Sequence, residues 1–148
     1  MAFKQGKFTP FNPQKYVGDV SDIVFRSSWE QKMCQWLDFN PAVLKWGSET
    51  VVIPYFYEID NKWHRYFVDF IMTVKNSKGI EVTYLIEIKP KKDTVANKPK
   101  RMTEKAQMNY TRALLTKSKN EAKWKAATEY ATQNGMTFKV ITEDELFS

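Results

Sequence analysis

The run Tyr84-Leu-Ile-Glu-Ile-Lys-Pro constrains this chain more than any other feature, because it sets an acid and a base into what otherwise reads as a buried strand. Side chains alternate along a strand, so Glu87 and Lys89 emerge on one face, roughly 7 Å apart at the backbone, while Ile86 and Ile88 point to the other. Residues 65–74 read as a strand too, and Asn76-Ser-Lys-Gly79 between the two has the composition of a hairpin turn, with Gly79 free to take positive φ. A turn centred there places Asp69 opposite residue 86 or 87. Asp is disfavoured in strands, and two adjacent carboxylates repel unless one takes a proton or a cation lies between them.

A divalent metal resolves that conflict. Cys34 is the only cysteine and His64 the only histidine, which excludes an internal disulfide and any zinc site built from several Cys and His ligands. Hard oxygen donors favour Mg2+, with Mn2+ as its substitute, and such an ion keeps waters for a phosphate and a nucleophile. Lys89 then has a role as a compact charge beside the attacking water or the developing phosphorane oxygens.

The surrounding pattern predicts an α/β mixed sheet flanked by helices, in a single domain of 148 residues. Residues 1–20 carry Pro10, Pro13, Gly6 and Gly18 and read as an irregular arm that Phe3, Phe8, Phe11 and Tyr16 pin to the body. Ser27-Ser-Trp-Glu30 has capping-box spacing and opens a helix to about Asn40, with Trp29, Met33, Trp36 and Leu37 as its packing stripe. Strands follow at 43–46, 50–57, 65–74 and 80–89, then helices at about 100–118 and 120–133. A final strand at 136–142 joins the sheet after a helical crossover, ahead of an acidic EDEL tail.

Lys and Arg outnumber Asp and Glu by 23 to 17, for a formal charge of +6, a balance suited to a polyanion. Between residues 89 and 105 the bases Lys89, Lys91, Lys92, Lys98, Lys100, Arg101 and Lys105 face only Asp93 and Glu104, so this loop is expected to track a phosphate backbone. No stretch has the continuous apolar length of a signal peptide or a spanning helix, and a cytoplasmic or particle-borne protein is expected.

Asp69, then Glu87-Ile88-Lys89 on the next strand, preceded by a helix bearing Glu30, resembles the PD-(D/E)xK, restriction-endonuclease-like nuclease superfamily. The resemblance spans about residues 25–110, the expected catalytic core. It implies Mg2+-dependent hydrolysis of DNA to 5′-phosphate and 3′-hydroxyl ends, with Asp69, Glu87, the Ile88 carbonyl and Glu30 at the metal and Lys89 at the nucleophile. Val68 stands where the literal motif has proline.

FRSSWE, YFVDF and YLIEIKP also resemble the amino-terminal nuclease domain of transposon end-cleaving enzymes. The whole chain, with its FTPFNPQKYVGD arm, is similar to the head completion proteins of T-even-type tailed phages. That similarity implies action on the packaged DNA end before the tail joins, in the host cytoplasm or virion, beside portal or neck proteins. A non-catalytic protein that holds a DNA end, and a transposon-type nuclease, stand as alternatives.

Other residues have bland readings beside the functional ones. Glu30 could instead satisfy the backbone N–H of Ser27 in the capping box. Arg26 reads as a surface residue with a phosphate-clamp alternative, and Gln107 as a DNA-facing residue, although Gln107-Met-Asn-Tyr110 is one residue short of a Q-x-x-x-Y motif. His64 reads as a surface histidine, Cys34 as a helix residue near the core, and Trp124 as part of a helix face.

Overall fold

The computed structural model describes residues 5–147; Phe3 lies outside them. β1 (Gly6–Lys7) pairs antiparallel with β2 (Val24–Phe25), so the arm is more ordered than its composition predicts. A 3-10 turn at Pro13–Lys15 follows, and Tyr16 then bridges to Trp46. Phe8 and Tyr16 meet the Trp46 ring edge-on, and Tyr16 is buried. Phe11 stacks on Phe39 but stays exposed.

α1 (Ser28–Phe39) begins at Ser27, whose hydroxyl accepts the Glu30 backbone N–H at 3.2 Å. The expected stripe is rotated. Met33, Cys34, Leu37 and Asp38 are buried, whereas Trp36 is exposed. Spacings of three and four from Met33 and Cys34 put Glu30 on the buried side of the helix, which reading the indoles as anchors obscures. Asp38 has no exposed surface; its carboxylate accepts the backbone N–H groups of Phe11 at 2.7 Å and Asn12 at 3.0 Å. Lys15 donates to the Asp38 and Asn40 carbonyls, so α1 holds the arm through its last turn.

A four-stranded sheet has the order β3 (Val43–Ser48), β6 (Phe70–Lys75), β7 (Glu81–Ile88), β8 (Thr137–Ile141). Its pairs are antiparallel except β7 with β8. β4 (Val52–Tyr57) and β5 (Lys62–Phe67) form a separate antiparallel hairpin. The single strand expected over 65–74 is therefore two, divided at Val68 and Asp69. Val68 N–H still bonds to Val51 O on the hairpin side, and from Phe70 the chain pairs with β7. The run Tyr66-Phe-Val-Asp-Phe-Ile-Met72 stays apolar on both sides of Asp69 while the buried side chains pass from the core that holds Tyr66 and Val68 to the one that holds Phe70, which is why the change of partner does not show in the sequence. The turn before β7 is as expected: Asn76 Oδ1 accepts from Lys78 and Ile80 N–H, and Gly79 has φ +78.

The two helices expected from 100 to 133 are one, α2 (Glu104–Gln133), capped by Thr103. No Gly or Pro interrupts the join around Ser118 and Asn120, and Ala127 and Ala131 are buried against the sheet. Gly135 at φ +68 ends the helix, and the chain enters β8 in the right place for the parallel crossover. The acidic tail is also helical: α3 (Glu143–Leu146) starts with a complete Thr142/Glu145 capping box.

The sheet separates two cores. Trp46, Phe70, Ile86 and Ile88 pack with Met33, Cys34 and Leu37 of α1. Leu85, with Ile53, Tyr55, Tyr66 and Val68, packs with Ala127 and Ala131 of α2. This α/β arrangement has the restriction-endonuclease-like form expected. Among the described residues no helix is long and apolar enough to cross a membrane.

Candidate active site

β6 and β7 pair Phe70 with Ile86, so Asp69, one residue earlier, stands level with Glu87 as the hairpin register requires. Asp69 sits at a bend rather than inside a strand, which removes the propensity penalty. Its Oδ2 accepts the Ile88 N–H at 2.9 Å. Its own carbonyl accepts the Glu49 N–H at 3.0 Å, and Glu49 adopts φ 55 to reach it. β3, β6 and β7 thus fix the position of one carboxylate.

Glu87 follows the alternation of β7 onto the face that carries Leu85, toward α2, and is 6% exposed. Its Oε2 accepts the indole N–H of Trp124. Tyr66 is buried beside it; its hydroxyl lies outside hydrogen-bond geometry to any described residue, and burial, then the Glu87 charge, hold it far above the ordinary phenol range. Lys123 Nζ lies 5.5 Å from the centre of the Tyr66 ring. Burial lowers this ammonium's pKa, against the raising effect of Glu87.

The two acids are in conflict. Burial, then the charge of Glu87, push the Asp69 carboxyl up to about 8, with Glu30 adding to the rise and the Ile88 N–H and Lys89 opposing it. A carboxylate pair with so little compensating positive charge and only oxygen donors fits a hard divalent cation. Asp69 and Glu87 are the groups that could hold one, with the Ile88 carbonyl adjacent to Glu87 in the chain. Glu30 is not gathered into the same group: among the described residues, no three carboxylate, imidazole or thiol groups stand close enough to share an ion.

Instead, Glu30 Oε2 accepts the Ser27 hydroxyl at 3.2 Å, and burial raises its pKa. Its side chain bonds that hydroxyl where the capping-box reading expects the Ser27 N–H. Arg26 is exposed and takes both oxygens of Glu49, at 2.9 and 3.1 Å. Its guanidinium is occupied, which argues against a clamp already open to phosphate.

The basic loop divides. Lys91 is tied to the last helix, through its N–H to Glu143 at 2.7 Å and its ammonium to Asp144 at 3.2 Å. Lys92, Lys98, Lys100, Arg101, Lys105 and Gln107 are exposed. His64 pairs with Asp60 at 2.6 Å on the separate hairpin, and burial pushes the Cys34 thiol up to about 12, which leaves it inert.

Reading the sequence misses Glu49, Tyr66, Lys123 and Trp124 at this site. The signal for Trp124 was its spacing: Asn120, Trp124, Ala127 and Ala131 share a helix face, and that face lies over Glu87.

A family model described as TnsA-like endonuclease N terminal matches residues 40–143, a span that includes Asp69, Glu87, Lys89 and Trp124 but not Glu30. The chain is similar to the head completion nuclease of Enterobacteria phage T4, 46% identical over 142 residues, which cover 95% of this chain and 92% of that protein. No solved structure matches.

Proposed function

The chain belongs to the TnsA-like endonuclease N-terminal family, and on that premise we propose that it is a Mg2+-dependent DNA endonuclease of the PD-(D/E)xK type that acts in phage head completion. The carrying observation is the Asp69–Glu87 pair: two carboxylates brought level by a hairpin, one on the Ile88 N–H and one on the Trp124 indole, with Lys89 two residues on. The relative's name supports the setting, since that protein is a head completion nuclease. The packaged DNA end before tail attachment, in the infected host's cytoplasm, is the substrate and place this reading gives, with portal or neck proteins as its neighbours.

Asp69, Glu87 and the Ile88 carbonyl hold Mg2+, or Mn2+ in its place. When bound, the ion supplies a water of lowered pKa and Lewis-acid polarisation of the phosphate. Lys89 offsets charge at the nucleophile or on the phosphate, which a compact ammonium does well. Glu30 serves as an auxiliary acid from α1, outside the Asp69–Glu87 pair, with its carboxyl raised by burial. The exposed bases from Lys92 to Lys105 hold the phosphate backbone, an interaction that weakens steeply with salt.

The test is cleavage of linear, nicked and branched DNA by wild type and by a folded Glu87→Ala, Lys89→Ala double variant, with Mg2+, Mn2+ or chelator. Metal-dependent cleavage by wild type alone is expected, with DNA binding retained in the variant. Equal binding and no cleavage by either protein would favour a non-catalytic holder of DNA ends.

A further inference from the structure

The long helix reaches the acid pair through a single hydrogen bond, and its chemistry limits what Glu87 can do. Trp124 lies on the same helix face as Ala127 and Ala131, both buried on the sheet, so its ring is held by packing. Its N–H needs an acceptor once it is turned inward, and it takes Glu87 Oε2. Glu87 is itself 6% exposed, and its neighbours Tyr66 and Leu85 belong to the same packed core. The carboxylate has little room to choose another rotamer.

We infer that Trp124 is a positioning residue: by donating to Oε2 it fixes the Glu87 rotamer and so the direction from which the carboxylate meets the cation. This rests on the metal-binding reading above and adds to it a residue 37 positions away in the chain. Groups that hydrogen-bond a ligating carboxylate orient it, and their loss typically weakens metal binding roughly 10–100-fold. A tryptophan that merely fills space donates nothing to Glu87, so its indole N–H does not respond when the cation binds.

The experiment titrates Mg2+ into DNA-free protein and follows two signals. Calorimetry compares wild type with Trp124→Phe, which keeps an aromatic ring and removes the donor with part of the indole; a rise in Kd of roughly 10–100-fold is expected, measured at a temperature where the metal-free variant, less stable for losing a donor to a buried carboxylate, is still fully folded. The 1H–15N spectrum of wild type should show the Trp124 indole N–H resonance moving with Mg2+ and saturating with the calorimetric Kd. This second signal needs no variant and decides the matter if Trp124→Phe does not fold. Binding by wild type with a stationary indole resonance, or equal affinity in a folded Trp124→Phe, overturns the inference alone. Absence of Mg2+ binding by wild type overturns the metal-binding reading and the inference together.

Discussion

Asp38 and the Asp69–Glu87 pair are all buried or nearly buried acids on the same framework, yet their surroundings are opposite. Asp38 is enclosed completely, but two arm N–H groups point at its carboxylate, and Asn12 and Lys15 cover its carbonyl. Asp69 accepts one N–H and confronts another carboxylate. The first environment makes a buried charge into a fastener, because each desolvated oxygen has a donor. The second leaves electrostatic stress that only an added proton or cation removes. Burial of an acid is thus no mark of function by itself; burial without compensation is.

The sharpest way to break this contrast is Asp69→Asn. Cleavage should fall by about 10^3-fold or more, since the anionic ligand is gone, while the melting temperature above neutral pH rises because the repulsion is gone too. A lower melting temperature would place Asp69 in the same class as Asp38. Asp38→Ala should do the reverse: a loss of roughly 3 kcal/mol, because the Phe11 and Asn12 N–H groups lose their acceptor, read by denaturant unfolding, with the cleavage rate per folded molecule kept.

A smaller effect is expected from pH. The Asp69 carboxyl keeps its proton in the folded state up to about 8, whereas the unfolded chain releases it near the ordinary value of 3.8. The folded state therefore binds more protons across that window, and metal-free stability should decline as pH rises from about 4 to about 8. Thermal melts across this range should show the slope, and Mg2+ or Asp69→Asn should flatten it; an unchanged slope in Asp69→Asn would assign it to another group. Least affected should be Arg26→Ala, which removes an exposed ion pair worth about 0–1 kcal/mol and is expected to leave melting almost unchanged.

What could be read from the chain alone follows the same division. Asp69, Glu87 and Lys89 are bound by one hairpin whose turn and alternation are local, so their register was legible. Asp38 gave no signal because its partners are backbone groups 26 and 27 residues upstream, and backbone donors look the same in every sequence. The split at Val68 and Asp69 was hidden because the run stays apolar on both sides of it, although its buried residues pass from one core to the other there. Trp124 looked like core and is core; only the crossover reveals which acid its N–H meets. Glu30 was legible as a cap and as a candidate acid, but its actual bond, to the Ser27 hydroxyl, depends on a rotamer that spacing does not determine.

The parallel pairing of β7 with β8 also sets an order of events during folding. The Asp69–Ile88 contact closes a loop of 19 residues, whereas the Trp124–Glu87 contact spans 37 and β8 can be laid down only after all of α2 has been made. Long-range pairings of this kind form slowly compared with a hairpin. The hairpin that carries the acid pair needs only the chain as far as Ile88, whereas the indole that steadies Glu87 and the strand beside it need the chain through Ile141, so the site is complete only when nearly the whole chain is available to close the crossover.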